Sequence, residues 1–268
     1  MELTYNSSDN IVEIKTVQAS AIRILVEALK DILTDANMII EKSGIKLIAM
    51  DSSNTVLIHM KLDSSKFEEY KCLQDKIIIG VNMLNLYKLI KTMNNTDTLI
   101  FFINKFNHNK LGIRINNHEK NTTTNYELNL LDIPEENINI PPAEFDSELI
   151  LPSGDFQKLI RDMINIGHNV EIKSIGNNLI FNCHGDFANQ STVLGETNDG
   201  LKYKQKQDPQ LPVQGIYSLK YLLLFTKCTN LSPHIQLYIK NDYPLIIQYT
   251  IASLGSIKLC LAPITIQS

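Results

Sequence analysis

The four cysteines and six histidines of this 268-residue chain are its readiest nucleophiles and metal ligands. Their spacing fits neither role. Cys72, Cys183, Cys228 and Cys260 stand apart with no C-x-x-C pair, the pattern of reduced thiols in an intracellular protein. His59, His108, His118, His168, His184 and His234 are scattered, and none lies one helical turn from another ligand type. Cys183 and His184 could imitate a thiol–base pair, but adjacent residues on a strand point to opposite faces. Asp51-Ser52-Ser53 reads as a turn and Ser153-Gly154-Asp155 as a helix N-terminus. No G-x-G-x-x-G, Walker P-loop, H-E-x-x-H or G-x-S-x-G occurs. The expectation is no catalytic residue, no metal and no cofactor; a β-rich enzyme is the remote alternative.

What remains is charge. The chain carries a formal net charge of −4, which taken whole argues against a simple nucleic-acid binder. Its distribution is less uniform. Four amphipathic segments carry Arg23 and Lys30, Lys88 and Lys91, Lys158 and Arg161, and Lys220 and Lys227. At 100° per residue these cations lie off the apolar stripes. In an acidic protein that arrangement forms one positive surface, or else it is a plain solvated face with long lysine stems.

Four predicted helices place those charges. Ile22, Leu25, Val26 and Leu29 recur at i, i+3, i+4 and i+7 after Ser20. Met83, Leu86, Tyr87 and Ile90 follow Asn82 as N-cap. Phe156, Leu159, Ile160 and Met163 follow Ser153; Leu219, Leu222 and Leu223 follow Ser218. Between them run short apolar segments that predict strands at 11–17, 37–42, 45–50, 55–62, 76–81, 98–104, 110–116 and 123–130. A second series lies at 147–152, 170–175, 178–185, 190–195, 212–217, 235–240, 245–251 and 256–263, with a polar loop at 196–210. Ile22 aligns with Phe156 and Met83 with Leu219 at nearly the same offset. The chain therefore reads as a duplicated α+β domain.

Between the halves lies an extended connector. Pro134, Pro141 and Pro142 fix φ and remove donors. Leu131, Ile133, Ile138 and Ile140 are threaded singly among acids and amides. Ile138 and Ile140 are two residues apart and point the same way on extended backbone. Framed by Asp132, Glu135 and Glu136, they form a binding patch or staple the connector to the second domain. The domains are expected at 1–127 and 146–268, with the connector at 128–145. No apolar run approaches the ~20 residues of a membrane span, and the first ten residues carry no secretion signal.

Together these segments resemble the proliferating cell nuclear antigen (PCNA) family, the ring-shaped DNA sliding clamps. VQASAIRILVEALKDI is similar to the family's first helix, IKLIAMDSSNTVLI to its AMDSS strand–turn–strand and GVNMLNLYKLIK to its second helix. LPSGDFQKLIRDMINIG resembles the third; YLLLFTKCTNLS, PLIIQYTIASLG and LCLAPI resemble the C-terminal helix, strand pair and tail. The match runs from about Ile11 to Ile264.

The resemblance implies an α+β fold of two similar clamp domains, forming a trimeric pseudo-sixfold ring with helices on the inner face and antiparallel sheets outside. It implies a processivity factor with no reaction of its own; the alternative is a subunit of a heterotrimeric or checkpoint-type clamp. The eight helical cations would face double-stranded DNA without reading sequence. A partner-peptide groove would draw on Met50, Thr55, Leu57, Leu131, Ile133, Ile138, Ile140, Pro141, Pro244, Cys260, Leu261, Ala262 and Pro263. Copies would meet along Asn121, Thr123, Asn125 and Glu127 on one side and Phe187, Asn189, Ser191 and Val193 on the other. Implied partners are a DNA polymerase, a clamp loader and proteins bearing PCNA-interacting peptides (a Gln, an aliphatic residue and two adjacent aromatics), with no membrane. The implied location is the nucleus or the replication site of a large DNA virus. Three departures stand out: Cys260 replaces a usual aromatic, Gly176 occupies a regulatory lysine's position, and the N-terminal tail is longer.

Overall fold

A computed structural model of the chain describes residues 7–136, 138, 140, 143–206 and 211–264. It divides into two compact units, Met1–Ala49 with His59–Ile138 and Ile251–Ser256, and Met50–Ile58 with Asn139–Thr250 and Ile257–Ser268. Each unit thus includes a short segment from the other half of the chain.

The first half contains β1 (Asn10–Thr16), α1 (Ala19–Leu29), β2 (Asp35–Glu41), β3 (Gly44–Met50), β4 (Val56–Asp63), β5 (Glu69–Cys72), β6 (Lys76–Asn82), α2 (Met83–Ile90), β7 (Thr98–Asn104), β8 (Asn107–Asn117) and β9 (Thr122–Asn129). One antiparallel sheet runs in the order β5-β1-β7-β8-β9. A second set pairs β3 with β2 and β2 with β6. Ile22, Leu25, Val26 and Leu29 of α1, with Met83, Leu86 and Ile90 of α2, are buried as the helical period requires. Their undersides meet Met38, Leu47, Met60 and Phe101 around an apolar gap of about 30 Å³.

The second half contains β10 (Ser147–Pro152), α3 (Ser153–Met163), β11 (Asn169–Ile175), β12 (Asn178–His184), β13 (Asn189–Gly195), β14 (Lys202–Lys206), β15 (Val213–Ser218), α4 (Leu219–Phe225), β16 (His234–Ile239), β17 (Leu245–Ile251) and β18 (Gly255–Leu261). Strands β14, β10, β16 and β17 pair in that order, and β13-β12-β11-β15 form another antiparallel sheet. Phe156, Leu159, Ile160 and Met163 of α3 and Leu219, Leu222 and Phe225 of α4 are buried. The Phe156 and Phe181 rings stand 6.5 Å apart in this core.

The duplication is visible element by element. Helices α1 and α3 each have 11 residues and start 134 positions apart; α2 and α4 start 136 apart.

Several local expectations give way to tertiary contacts. The predicted loop at 196–210 contains β14, which pairs with β10, and the short β5 is an unanticipated partner of β1. Helix α4 ends early, at Phe225, and continues as a tighter 3-10 turn, Thr226–Leu231. Asn82 caps α2 by accepting from the Asn85 amide at 2.9 Å. Ser153 does not cap α3: it is buried, and its hydroxyl donates to the Ser232 carbonyl. Helix α1 begins one residue before Ser20, with Gln18 at the N-cap. Its side chain accepts from the Ser253 amide at 3.0 Å rather than from the helix. Strand β9 continues to Asn129, so the extended segment leaves it at Leu130.

Candidate nucleic-acid interface

In the first unit the four predicted cations are not equivalent. Lys88 and Lys91 are exposed at the end of α2. Lys30, the C-cap of α1, is drawn inward: its Nζ lies 2.9 Å from Asp31 and 4.9 Å above the Tyr87 ring of α2. Arg23 is half-buried, and its Nε has no hydrogen-bond partner among the described residues. Burial, followed by the Glu27 hydrogen bond, raises the Tyr87 hydroxyl above its usual range. So α2 offers the accessible charge and α1 a partly neutralised one.

In the second unit Lys158, Arg161, Lys220 and Lys227 are all exposed. Gln157 ties α3 to the chain after α4 by donating to the Thr226 carbonyl at 3.0 Å. Lys220 leans over the Tyr221 ring at 5.7 Å. Lys227 stands on the 3-10 turn rather than on α4.

The predicted groove residues also separate by unit. Leu131 pairs with Gly80, its amide donating to the Gly80 carbonyl at 2.8 Å. A Cβ on Gly80 would stand 2.3 Å from the Leu131 carbonyl and 3.0 Å from Ile133 Cδ1, so only glycine admits this approach. The Asn37 amide donates to the carbonyls of Ile133 (3.1 Å) and Pro134 (3.2 Å), and Lys76 pairs with Glu135. Ile138 is half-buried.

Within the second unit, Ala262 donates to the Thr55 carbonyl at 3.0 Å, bringing those two residues together. Met50, Leu57, Pro244 and Pro263 are half-buried and Ile140 is exposed, while Cys260 and Leu261 are buried. Pro141 lies outside the described residues.

The turn between Met50 and Thr55 is built on one carboxylate. Asp51 accepts from the amides of Thr55 and Val56, each at 2.7 Å, and from the Ser53 hydroxyl. Burial pushes this carboxyl up, but the Ser53 hydroxyl and the turn amides outweigh it and hold Asp51 below its ordinary range.

The eight predicted contact residues between copies lie on or beside two long edge strands. Strand β9 ends one sheet and β13 another. Asn121, at φ 47°, turns the chain into β9, where Thr123 is exposed and Asn125 and Glu127 are half-buried. Asn189, Ser191 and Val193 occupy the exposed alternate positions of β13, and Phe187 before it is 78% exposed.

Cys183 is buried and His184 exposed, so they do not meet. Among the described residues no group of His, Cys, Asp or Glu could hold a metal, and no helix is long and apolar enough to cross a membrane.

Family models for the N-terminal and C-terminal domains of proliferating cell nuclear antigen match residues 11–137 and 139–264. This chain belongs to the proliferating cell nuclear antigen family. A probable DNA polymerase sliding clamp 1 of Paramecium bursaria Chlorella virus 1 is 35% identical over 262 residues, covering 96% of this chain and 98% of that protein. Proliferating cell nuclear antigen of Chaetomium thermophilum is 30% identical over 255 residues, covering 94% and 98%. The family's domain models meet at residues 137–139, within the stretch that the sequence predicts as the connector. Asn37, Lys76 and Tyr221 carry no signal in the sequence, and Gly80 carries one only as a lone glycine inside an apolar strand.

Proposed function

We infer that this chain is a DNA sliding clamp: a processivity factor that encircles duplex DNA and tethers replication proteins. The observation that carries this is the family match across both halves of the duplicated chain. The exposed cations Lys88, Lys91, Lys158, Arg161, Lys220 and Lys227 support a DNA-facing role. Lysine and arginine neutralise phosphates without reading bases, and a ring that must slide cannot afford base-specific contacts.

Three copies closing through β9 and β13 would give a ring of six domains, a head-to-tail contact that covers both of those edges. Partner peptides would dock through a few apolar anchors at the connector side, Leu131, Ile133 and Ile138, and at the Thr55–Ala262 side. The protein would act at a replication site, nuclear or viral, and the chemistry would belong to the enzymes it tethers.

Threading separates encirclement from ordinary binding. Fluorescent protein is added to a tethered duplex whose far end is either free or blocked by a bulky protein. A ring threads onto the free end, persists at moderate salt and is excluded by the block. Equal association with both duplexes overturns the reading. Sizing by light scattering tests the copy number: a lone species near three times 30.4 kDa is expected of a homotrimer.

A further inference from the structure

Strand β6 is paired on one side by β2, and the chain leaving β9 meets it in an isolated antiparallel bridge at Gly80. In the β2–β6 register Asn37 lies directly opposite Gly80. Opposed residues of an antiparallel pair share a face, and Lys76, two alternations before Gly80 on β6, shares it too. Three adjacent features of one sheet face therefore meet the connector in chain order. Gly80 takes Leu131, Asn37 takes the carbonyls of Ile133 and Pro134, and Lys76 takes Glu135.

Two of these three contacts act on connector backbone, so they fix its path rather than a side-chain preference. Gly80 admits the Leu131 carbonyl and brings Ile133 against the strand, where any side chain would collide. The Asn37 amide spans two consecutive carbonyls of the segment. Pro134 adds a fixed φ at the same spot. A short extended segment held in this way loses most of its backbone freedom before any ligand arrives.

We propose that Asn37, Gly80 and Lys76 are positioning residues for partner capture: they hold the Leu131–Glu135 stretch in its docking conformation and so set the affinity for partner peptides. This rests on the docking role given to Leu131, Ile133 and Ile138 above. An extended segment that is competent only part of the time weakens apparent affinity by the competent fraction. The three residues need not touch the peptide to control it.

The test uses the full-length protein and two readouts. Hydrogen exchange at the Leu131 amide reports whether the segment is held. Calorimetry with a synthetic peptide carrying a Gln, an aliphatic residue and two adjacent aromatics reports capture. For Asn37→Ala with Lys76→Ala, Leu131 exchange should accelerate and peptide affinity fall roughly three- to tenfold, the scale of one or two lost polar contacts. Oligomeric state and melting temperature should hardly change. Gly80→Ala should reproduce both effects, since the Leu131 carbonyl must then move.

Unchanged exchange at Leu131 in the double variant overturns the proposal. So does faster exchange with wild-type peptide affinity. Ile133→Ala separates the two readings: affinity lost there but kept in the double variant removes the positioning role alone. Affinity kept in both variants removes the docking role with it.

Discussion

The Tyr221 hydroxyl of α4 stands 2.8 Å from the hydroxyl of Ser53, in the turn that leads to β4. Ser53 in turn donates to Asp51, and Asp51 accepts from the Thr55 and Val56 amides. A helix is thereby linked through two hydroxyls to the carboxylate that shapes the turn. Asp51→Asn keeps the shape but replaces an acceptor oxygen with a donor facing other donors. It should destabilise the protein by about 1–3 kcal/mol near neutral pH, read from the denaturation midpoint. Asp51's folded pKa lies below its unfolded value, so its contribution is full above the usual carboxylate range and is lost as pH falls through the folded pKa. The gap between wild type and variant should therefore close in acid. A gap that stayed constant to about pH 3 would show that the charge contributes nothing.

Removing accessible cations should alter DNA association unequally. Lys88→Ala with Lys91→Ala, or Lys158→Ala with Arg161→Ala, should reduce retention on duplex DNA and flatten the salt dependence by about one to two contacts. Lys30→Ala should do little, because Asp31 and the Tyr87 ring already occupy that ammonium. Titration at several salt concentrations checks both, with sizing as the control for assembly. A Lys30 effect equal to that of the α2 pair would refute the ranking.

The thiols should be sluggish. Burial pushes Cys260 up to about 11 and Cys228 up to about 12, and it raises Cys183 and Cys72 as well. The reacting species is the thiolate, which is scarce at neutral pH under those conditions. In the native protein a disulfide reagent should modify Cys72 first, since it is only half-buried, and the other three should await unfolding. Rapid modification of Cys260 in the folded protein would contradict this.

Val193 is 57% exposed on the edge strand β13. Val193→Glu places a charge where a neighbouring copy is proposed to pair, at a position that adds little to the fold of one copy. Light scattering over a dilution series should show the assembly dissociating at higher concentration than wild type, with the melting of the single chain unchanged. An undisturbed assembly would move the contact elsewhere.

Most signals carried by neighbours in sequence agree with the structure. The stripe Phe156, Leu159, Ile160 and Met163 is a local periodicity, and all four are buried. The Asn82 cap is equally local. Strand β14 was illegible because its sequence, KYKQK, is polar. What holds its Tyr203 is remote: the hydroxyl donates to the Asn178 carbonyl at 2.9 Å and lies 3.1 Å from Ser174. Ser153 sits at a cap position by sequence, yet its hydroxyl donates to the carbonyl of Ser232, far along the chain. The cations of the helices were found by spacing. Their unequal availability was not, because the Tyr87 ring above which Lys30 lies comes from another helix. Asn37 and Lys76 gave no sign of their roles, since each acts on a segment that returns many residues later.

The two edge strands β9 and β13 are different sequences on different sheets, and this has an arithmetic consequence. A contact joining these unlike edges would use one of each, so a row of copies of any length would still end in one bare β9 and one bare β13. A pair of copies is therefore no better protected at its ends than a single one. Only the joint that closes the circle removes the last two, and it does so without recruiting another molecule. A circle closed in this way would be admitted to DNA by parting one joint while the remaining joints kept the copies together.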